Sequence, residues 1–134
     1  MEKLVYKREK FVRTVAALER SINLFFRSDI ASDIKESLVA SNIKHFEMCY
    51  EAACKFLQSY LKHKYGKEIA SAKPIFRECF ALGLIDGDIT KKLLDMCEAR
   101  NATVHEYDEE TAIEMCKRIQ NYCITLKTLE LVSV

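Results

Sequence analysis

The stretch that decides the fold is VASNIKHFEMCYEAACKFLQSY, residues 39–60, in which apolar side chains recur at alternating steps of four and three. This spacing places them on one face of an α-helix. The stripe consists of Val39, Ile43, Phe46, Tyr50, Ala53, Leu57 and Tyr60. We therefore expect a long amphipathic helix that runs to about Tyr65 and stops at Gly66, a residue suited to the left-handed position after a helix.

The segment before this stretch repeats the pattern. Residues 2–26 carry a similar stripe, made of Leu4, Phe11, Val15, Leu18, Ile22 and Phe25. Four polar residues compete as the N-cap of the second helix, because their side chains accept hydrogen bonds from free backbone N–H groups. These residues are Ser28, Asp29, Ser32 and Asp33.

Three further helices are predicted after Gly66. The third begins near Ser71, with Pro74 tolerated in its first turn, and extends to about residue 85. A turn at 86–88 leads into the fourth, residues 89–104, with Asp86 or Asp88 as its cap. The fifth begins at Asp108, where acidic residues suit the helix dipole.

No segment alternates with a period of two, and the chain has only three glycines and one proline. Both observations favour long helices over a sheet. The sequence therefore predicts an all-α fold. We expect an antiparallel up-and-down bundle of four main helices plus a shorter one, formed by a single domain over residues 1–134.

The net charge of +1 provides no bulk attraction to nucleic acid or membranes, but the charge is unevenly spread. Residues 1–67 hold 13 Lys/Arg and 8 Asp/Glu, whereas residues 68–134 hold 8 and 12. Two interpretations remain open. The halves are either solvated helix faces of different sign, or one of them is a surface that orients a charged partner.

The six cysteines show no CxxC spacing and fall mostly at apolar helical positions. The chain stays charged from Glu2 to Arg13, so we expect no signal peptide. These features predict reduced, buried thiols in a cytoplasmic protein. No apolar run approaches the roughly 20 residues that span a bilayer, so no membrane association is expected.

The histidines, His45, His63 and His105, lack metal-ligand spacing, and the scattered glycines form no phosphate-binding loop. We therefore predict neither a metal nor a cofactor. The remaining candidate for chemistry is RNATVHEY, residues 100–107. Arg100 and Tyr107 continue the apolar stripe of the fourth helix, where a buried cation and phenol are costly unless something pairs with them.

Arg100, Asn101 and His105 are the candidate catalytic residues. An arginine binds phosphate bidentately, and a histidine exchanges protons near neutral pH, so the two suit attack of an RNA 2′-OH on its adjacent phosphate. Asn101 would orient one of them or the substrate. Residues five apart on a straight helix are rotated by about 140°, so convergence requires a helix end between them or a two-fold axis.

A structural alternative remains open from the residues alone. Arg100 would pair with Glu98, Glu106 or Asp108. His105 would stabilise the end of the fourth helix, because a cation suits the negative end of the dipole.

Three blocks of sequence resemble the nucleotidyltransferase substrate-binding family, which contains the HEPN partners of minimal nucleotidyltransferases. The first two are HFEMCYEAACK, residues 45–55, and SAKPIFRECF with GLI, residues 71–85. The third runs from LLDM at 93–96 through Arg100 and Asn101 to HEYDEE at 105–110. Together the blocks cover most of the chain in the order that the family shows.

The resemblance implies a HEPN-like helical homodimer with Arg100 and His105 in a cleft near the dimer axis. It further implies a toxin-like, metal-independent endoribonuclease of a toxin–antitoxin pair. A cognate minimal nucleotidyltransferase would act as the antitoxin by AMPylation of Tyr107. The alternative is a non-catalytic subunit of a two-component nucleotidyltransferase that binds a substrate or nucleotide. The sequence departs from the family in having no tryptophan, notably at Cys54 and near Leu93.

Overall fold

The computed structural model describes residues 2–27, 29–101 and 109–132. Over these ranges every regular element is helical. The elements are α1 (Glu2–Phe25), α2 (Ser32–Tyr65), α3 (Ala72–Ala81), α4 (Gly87–Asn101) and α5 (Glu109–Thr128), followed by a 3₁₀ turn at Leu129–Leu131. Four long helices and the shorter α3 form the predicted bundle, so the all-α prediction is confirmed.

The hairpin of α1 and α2 forms the centre of the bundle. Their stripes face each other, and the rings of Phe11 and Phe56 stack with centroids 5.8 Å apart. Both rings are fully buried, as are Leu18 and Leu57. Burial of each such side chain stabilises the fold by about 1.5–3 kcal/mol. The apolar stripe read from the sequence is therefore the surface that pairs the two longest helices.

Gly66 and Asp86 occupy the helix ends that the sequence predicts for them. Gly66 has φ of 66°, and its N–H donates to the carbonyl of Lys62 at 3.0 Å. Asp86 accepts a hydrogen bond from the N–H of Ile89 at 2.8 Å. Because Asp86 caps the helix, α4 already begins at Gly87, two residues before the predicted start.

The predicted N-cap residues of α2 are wrong, whereas α3 starts directly after Ser71, close to its predicted start. Ala31 holds the N-cap position of α2, and no side chain caps that end. Ser28 lies outside the described residues. Ser71 does hold the N-cap position of α3, but its hydroxyl makes no capping hydrogen bond. Packing of the apolar faces, rather than local capping, therefore fixes these two starts.

All six cysteines are free thiols, as predicted. Five are buried and Cys54 is half-buried. Burial raises the pKa of Cys49, Cys54 and Cys79 to about 12, so these thiols stay protonated at neutral pH. None of the helices within the described ranges has the length and apolar character needed to cross a membrane.

Candidate functional site around Arg100

Arg100 lies in the last turn of α4, where the apolar stripe of that helix meets α2. Leu93 and Met96 precede it on the stripe and are fully buried. Helical steps of three and four carry the stripe on to Arg100, so its side chain also points toward α2. Packing of the two preceding side chains thus holds the guanidinium against the middle of the longest helix.

Two consecutive residues of α2 receive the guanidinium. Its central carbon lies 5.4 Å from the ring centroid of Tyr50, and Nη2 donates to Oε1 of Glu51 at 3.0 Å. A cation over an aromatic face is attracted by the quadrupole of the ring. The side chain of Arg100 remains 34% exposed and that of Glu51 56% exposed, so this ion pair is open to solvent.

One donor of Arg100 lacks a partner among the described residues. Its Nε atom is buried and makes no hydrogen bond within the part of the chain that the structure describes. A buried donor left unpaired costs about 1–3 kcal/mol, and such donors are uncommon in folded proteins. The guanidinium therefore combines a permanent positive charge, an open ion pair and an unused N–H donor.

The groups packed beside Arg100 are held neutral. Desolvation raises the pKa of the Tyr50 phenol far above its ordinary value, and hydrogen bonds with Cys97 and Cys54 raise it further. Desolvation likewise raises the pKa of Cys54, against the lowering effects of Tyr50 and Arg100. Glu51 is thus the anion that faces Arg100 from α2, and an incoming phosphate would compete with this carboxylate alone on that helix.

Tyr50 and Glu51 are the residues that sequence reasoning missed. The apolar stripe of α2 places Tyr50 in the core, and only the structural alternative gives Arg100 a carboxylate partner, which is close to it in the chain. The pairing with Glu98 is wrong, because that carboxylate binds Lys73, which lowers the pKa of Glu98. The block at residues 45–55 contains both missed residues, but the resemblance gave neither of them a role at the site.

The other predicted site residues are less fully placed. Asn101 is the last residue of α4, and its side chain is not described. His105 and Tyr107 lie outside the described residues, as do Glu106 and Asp108. The convergence of Arg100 with His105 therefore stays a prediction, and so does the helix-capping alternative for His105.

The two positions without the family tryptophan lie in different surroundings. Cys54 is half-buried beside Tyr50 and Arg100, whereas Leu93 is fully buried in the core. The smaller side chain at 54 is therefore the departure that bears on the site. Within residues 2–27, 29–101 and 109–132, no group of three or more His, Cys, Asp or Glu side chains is arranged to hold a metal ion.

Comparison with known proteins places this geometry in context. Residues 6–132 match the family described as "Nucleotidyltransferase substrate binding protein like". A curated relative, "Probable ribonuclease HepT" of Haemophilus influenzae, is 31% identical over 102 residues. The match covers 69% of this chain and 65% of that protein, so the chain spans slightly less than two thirds of the length of this relative.

Three solved structures share the fold. A Thermus thermophilus protein has a TM-score of 0.73 and 29% identity, with 89% of this chain and 94% of that chain covered. A mutant MntA–HpeT toxin–antitoxin structure gives a TM-score of 0.75, 17% identity and coverage of 98% and 97%. The tri-AMPylated Shewanella oneidensis HEPN toxin in complex with the MNT antitoxin gives a TM-score of 0.60 and 17% identity, with 93% of this chain and 96% of that chain covered. At 17% identity the last two likenesses concern the fold alone.

Proposed function

The chain belongs to the nucleotidyltransferase substrate binding protein like family, as a HepT-like HEPN protein, and we propose that it is a metal-independent endoribonuclease of a toxin–antitoxin pair. The observation that carries the proposal is the state of Arg100. Its guanidinium is held in place by Tyr50 and Glu51, yet keeps a buried donor without a partner among the described residues. A phosphate oxygen would satisfy this donor and pair with the positive charge.

The proposed reaction is the transfer of an RNA phosphodiester to its own 2′ oxygen. The 2′ oxygen forms a bond to the adjacent phosphorus, and the bond from phosphorus to the 5′ oxygen breaks. His105 accepts the proton of the 2′-OH, and the departing 5′ oxygen gains a proton. Arg100 stabilises the charge that develops on the phosphoryl oxygens, and Asn101 orients the substrate or His105.

The proposed enzyme is a homodimer. On a straight helix, Arg100 and His105 would point about 140° apart, so one catalytic set needs either a helix end between them or residues from both subunits. A two-fold axis beside α4 would bring two such sets together through self-complementary contacts. This geometry agrees with the resemblance to HEPN homodimers.

The proposed control is AMPylation of Tyr107 by a cognate minimal nucleotidyltransferase. The tyrosine oxygen forms a bond to the α-phosphorus of ATP, pyrophosphate leaves, and the phenolic proton is released. One structural neighbour is a tri-AMPylated toxin bound to its antitoxin, which supports this mode of control. Added nucleotides would occupy the proposed RNA site near the dimer axis, and their negative charge would repel RNA phosphates.

The test measures RNA cleavage in excess chelator by wild-type protein and by the variants Arg100→Ala and His105→Ala. We expect each variant to lose about 10²–10³-fold in rate, the usual effect of removing one transition-state donor or proton-transfer group. Arg118→Ala and His45→Ala serve as matched controls and should cleave like wild type. Cleavage that persists in both site variants, or no cleavage by wild type, would exclude the ribonuclease.

The alternative is a non-catalytic subunit that binds a substrate or nucleotide, which the description of the matched family favours. Arg100 would then bind a phosphate without any bond being broken. Under this alternative, wild-type protein binds the phosphate ligand and leaves RNA intact, and Arg100→Ala weakens binding.

Mass spectrometry of Tyr107 after co-expression with a neighbouring nucleotidyltransferase tests the proposed control by AMPylation. An unmodified peptide contradicts AMPylation.

A further inference from the structure

A second polar site lies at the end of the α1–α2 hairpin, away from Arg100. It is a cleft of about 420 Å³ between the first turns of α1 and the last turns of α2. The segment that follows α2 closes one side through Glu68, Ile69 and Ala70. The volume lies within the range of ligand-binding pockets in proteins. Arg100 does not line this cleft.

The cleft is lined by more positive than negative charge. Lys3 and Lys7 project from α1 and Lys62 from α2, and they face the single carboxylate of Glu68. Glu68 lies 3.3 Å from Lys62, and both side chains are largely exposed. Such an exposed pair is worth roughly 0–1 kcal/mol, so an incoming anion can displace it readily.

His63 reports the same positive surroundings. It lines the cleft together with the three lysines. Desolvation lowers the pKa of its imidazole, and the charges of Lys62, Lys7 and Lys3 lower it further. A bound anion would offset these charges. The excess of basic residues in the first half of the sequence is therefore partly gathered at one place.

The walls of the cleft are fixed before any ligand binds. Gln58 donates from Nε2 to the carbonyl oxygen of Ile69 at 2.8 Å, which ties the closing segment to α2. The N–H of Lys67 donates to the carbonyl of Leu61 at 3.1 Å, and its ammonium group pairs with Glu78 of α3. A preformed site avoids the entropic cost of ordering a loop on binding.

The cleft and Arg100 share one face of α2. Glu51, which binds Arg100, is followed after seven residues by Gln58 and after eleven by Lys62. At 100° per residue Gln58 and Lys62 each lie within about 20° of Glu51 around the helix, and at 1.5 Å per residue they are about 10 and 16 Å further along. One extended anionic strand along α2 can therefore reach both places.

We propose that the cleft binds backbone phosphates of the single-stranded RNA whose cleaved phosphate lies at Arg100. This inference rests on the proposed ribonuclease function and adds a substrate-binding subsite to it. Phosphate contacts supply most of the affinity of such complexes, and a chain of net charge +1 needs a local basic site to provide them. Lysine ammonium groups suit this role because they are compact point charges.

The test measures binding of a fluorescently labelled single-stranded RNA by anisotropy in chelator, over a series of salt concentrations. The protein carries His105→Ala so that the RNA stays intact. The test variant adds Lys3→Gln, Lys7→Gln and Lys62→Gln. Its matched control adds Lys44→Gln, Lys91→Gln and Lys117→Gln, which remove the same charge from exposed positions elsewhere on the surface.

For the cleft variant we expect affinity to fall on the order of 10-fold or more. The slope of log affinity against log salt should become shallower by about 2, as expected for three lost phosphate contacts to a single strand. The control should keep the wild-type slope. Equal losses in both variants would show a non-specific charge effect and overturn the proposal, as would no loss in either.

A substitution that removes negative charge from the cleft tests the same site, because it should raise RNA affinity and damage to the fold would not. Glu68→Gln removes the one carboxylate in the cleft, so RNA affinity should rise by about two- to five-fold at low salt. An unchanged or weaker affinity contradicts the proposal.

Two further arms separate other ligands. Lysine-dependent binding of ATP or inorganic phosphate, without lysine-dependent binding of RNA, would assign the cleft to a free phosphate ligand and overturn the RNA proposal. Loss of the nucleotidyltransferase partner by the cleft variant, with RNA affinity unchanged, would overturn it as well.

The binding test of the cleft and the cleavage test of the ribonuclease can give different outcomes. Lysine-dependent RNA binding by a wild-type protein that cleaves nothing would support the cleft and exclude the enzyme. Normal cleavage by the wild-type protein, together with unchanged RNA affinity in the cleft variant, would support the enzyme and exclude the cleft.

Discussion

Two polar clusters pack against the core of this protein, and they differ in how completely their hydrogen bonds are satisfied. The first joins α1, α2 and α5. Ser21 donates to Oδ1 of Asn42 at 2.5 Å, and Nδ2 of Asn42 donates to the sulfur of Cys116 at 3.3 Å. The hydroxyls of Ser21 and Ser41 lie 2.9 Å apart. Asn42 is fully buried, and both of its side-chain polar atoms have partners.

The Arg100 cluster shows the opposite state. Its ion pair with Glu51 is open to solvent, and its Nε donor is buried without an acceptor among the described residues. A satisfied buried network fixes the register of helices, whereas an unsatisfied buried donor can accept a further partner. The Asn42 cluster therefore has a structural role, and the unpaired donor agrees with the ligand-binding role proposed for Arg100.

The largest effect that tests this comparison is expected for Asn42→Ala. It removes the partner of Ser21 and of Cys116 inside the core, so the free energy of unfolding should fall by about 2 kcal/mol. RNA cleavage per folded molecule should not change. Asn121→Ala, at an exposed position of α5, is the control and should shift stability by less than about 0.5 kcal/mol. If Asn42→Ala and Asn121→Ala lowered the free energy of unfolding equally in urea, the structural role of Asn42 would be contradicted.

An intermediate effect concerns the thiols of the two clusters at alkaline pH. Burial raises the pKa of Cys54 from 9.0 to about 12, so the unfolded chain loses this proton at lower pH than the folded chain. The stabilising contribution is complete below about pH 9 and declines as pH rises from 9 toward 12. Over the first pH unit the decline is about 1 kcal/mol for Cys54.

Urea unfolding at pH 9 and pH 10 measures that decline. Cys54→Ala should flatten it by about this amount. Cys116→Ala should flatten it less, because the hydrogen bond from Asn42 opposes the effect of burial on the pKa of Cys116. A pH dependence as steep in Cys54→Ala as in wild type would contradict the burial of this thiol beside Arg100.

The smallest effect is expected for Glu51→Gln. The pair with Arg100 is exposed, so stability should change by less than about 0.5 kcal/mol. Removal of the competing carboxylate should raise RNA affinity by about two- to three-fold, as measured by anisotropy. Glu36→Gln, near the other end of α2, controls for the change in net charge. Lower affinity in Glu51→Gln than in Glu36→Gln would mean that Glu51 positions Arg100 rather than competing for it.

The helices were predictable because their signals are local. The stripe from Leu4 to Phe25 predicted α1, and the left-handed preference of glycine placed the end of α2 at Gly66. The N-cap prediction for α2 failed because packing with distant residues outweighed a local signal. Side-chain caps contribute about 1 kcal/mol each, and the packed face of a 34-residue helix outweighs that at its ends.

The candidate site was predictable only in part. Arg100 stood out as a cation on an apolar stripe, which is a property of sequence spacing. Its partners Tyr50 and Glu51 lie on another helix, 50 and 49 residues away, and no periodicity within α4 points to them. The cleft that contains Lys3, Lys7 and Lys62 was likewise visible only as an uneven distribution of charge.

The sequence by itself determined the helical fold class, the extent of α1, the end of α2 and the reduced thiols, and it singled out Arg100, but it placed the end of α3 about four residues beyond Ala81. Each follows from the spacing or chemistry of residues close together in the chain. Only the tertiary structure decided which residues receive the guanidinium, which of its donors stays unpaired and where the basic residues converge. Those properties depend on how distant helices pack, and packing brings together side chains that no local pattern relates.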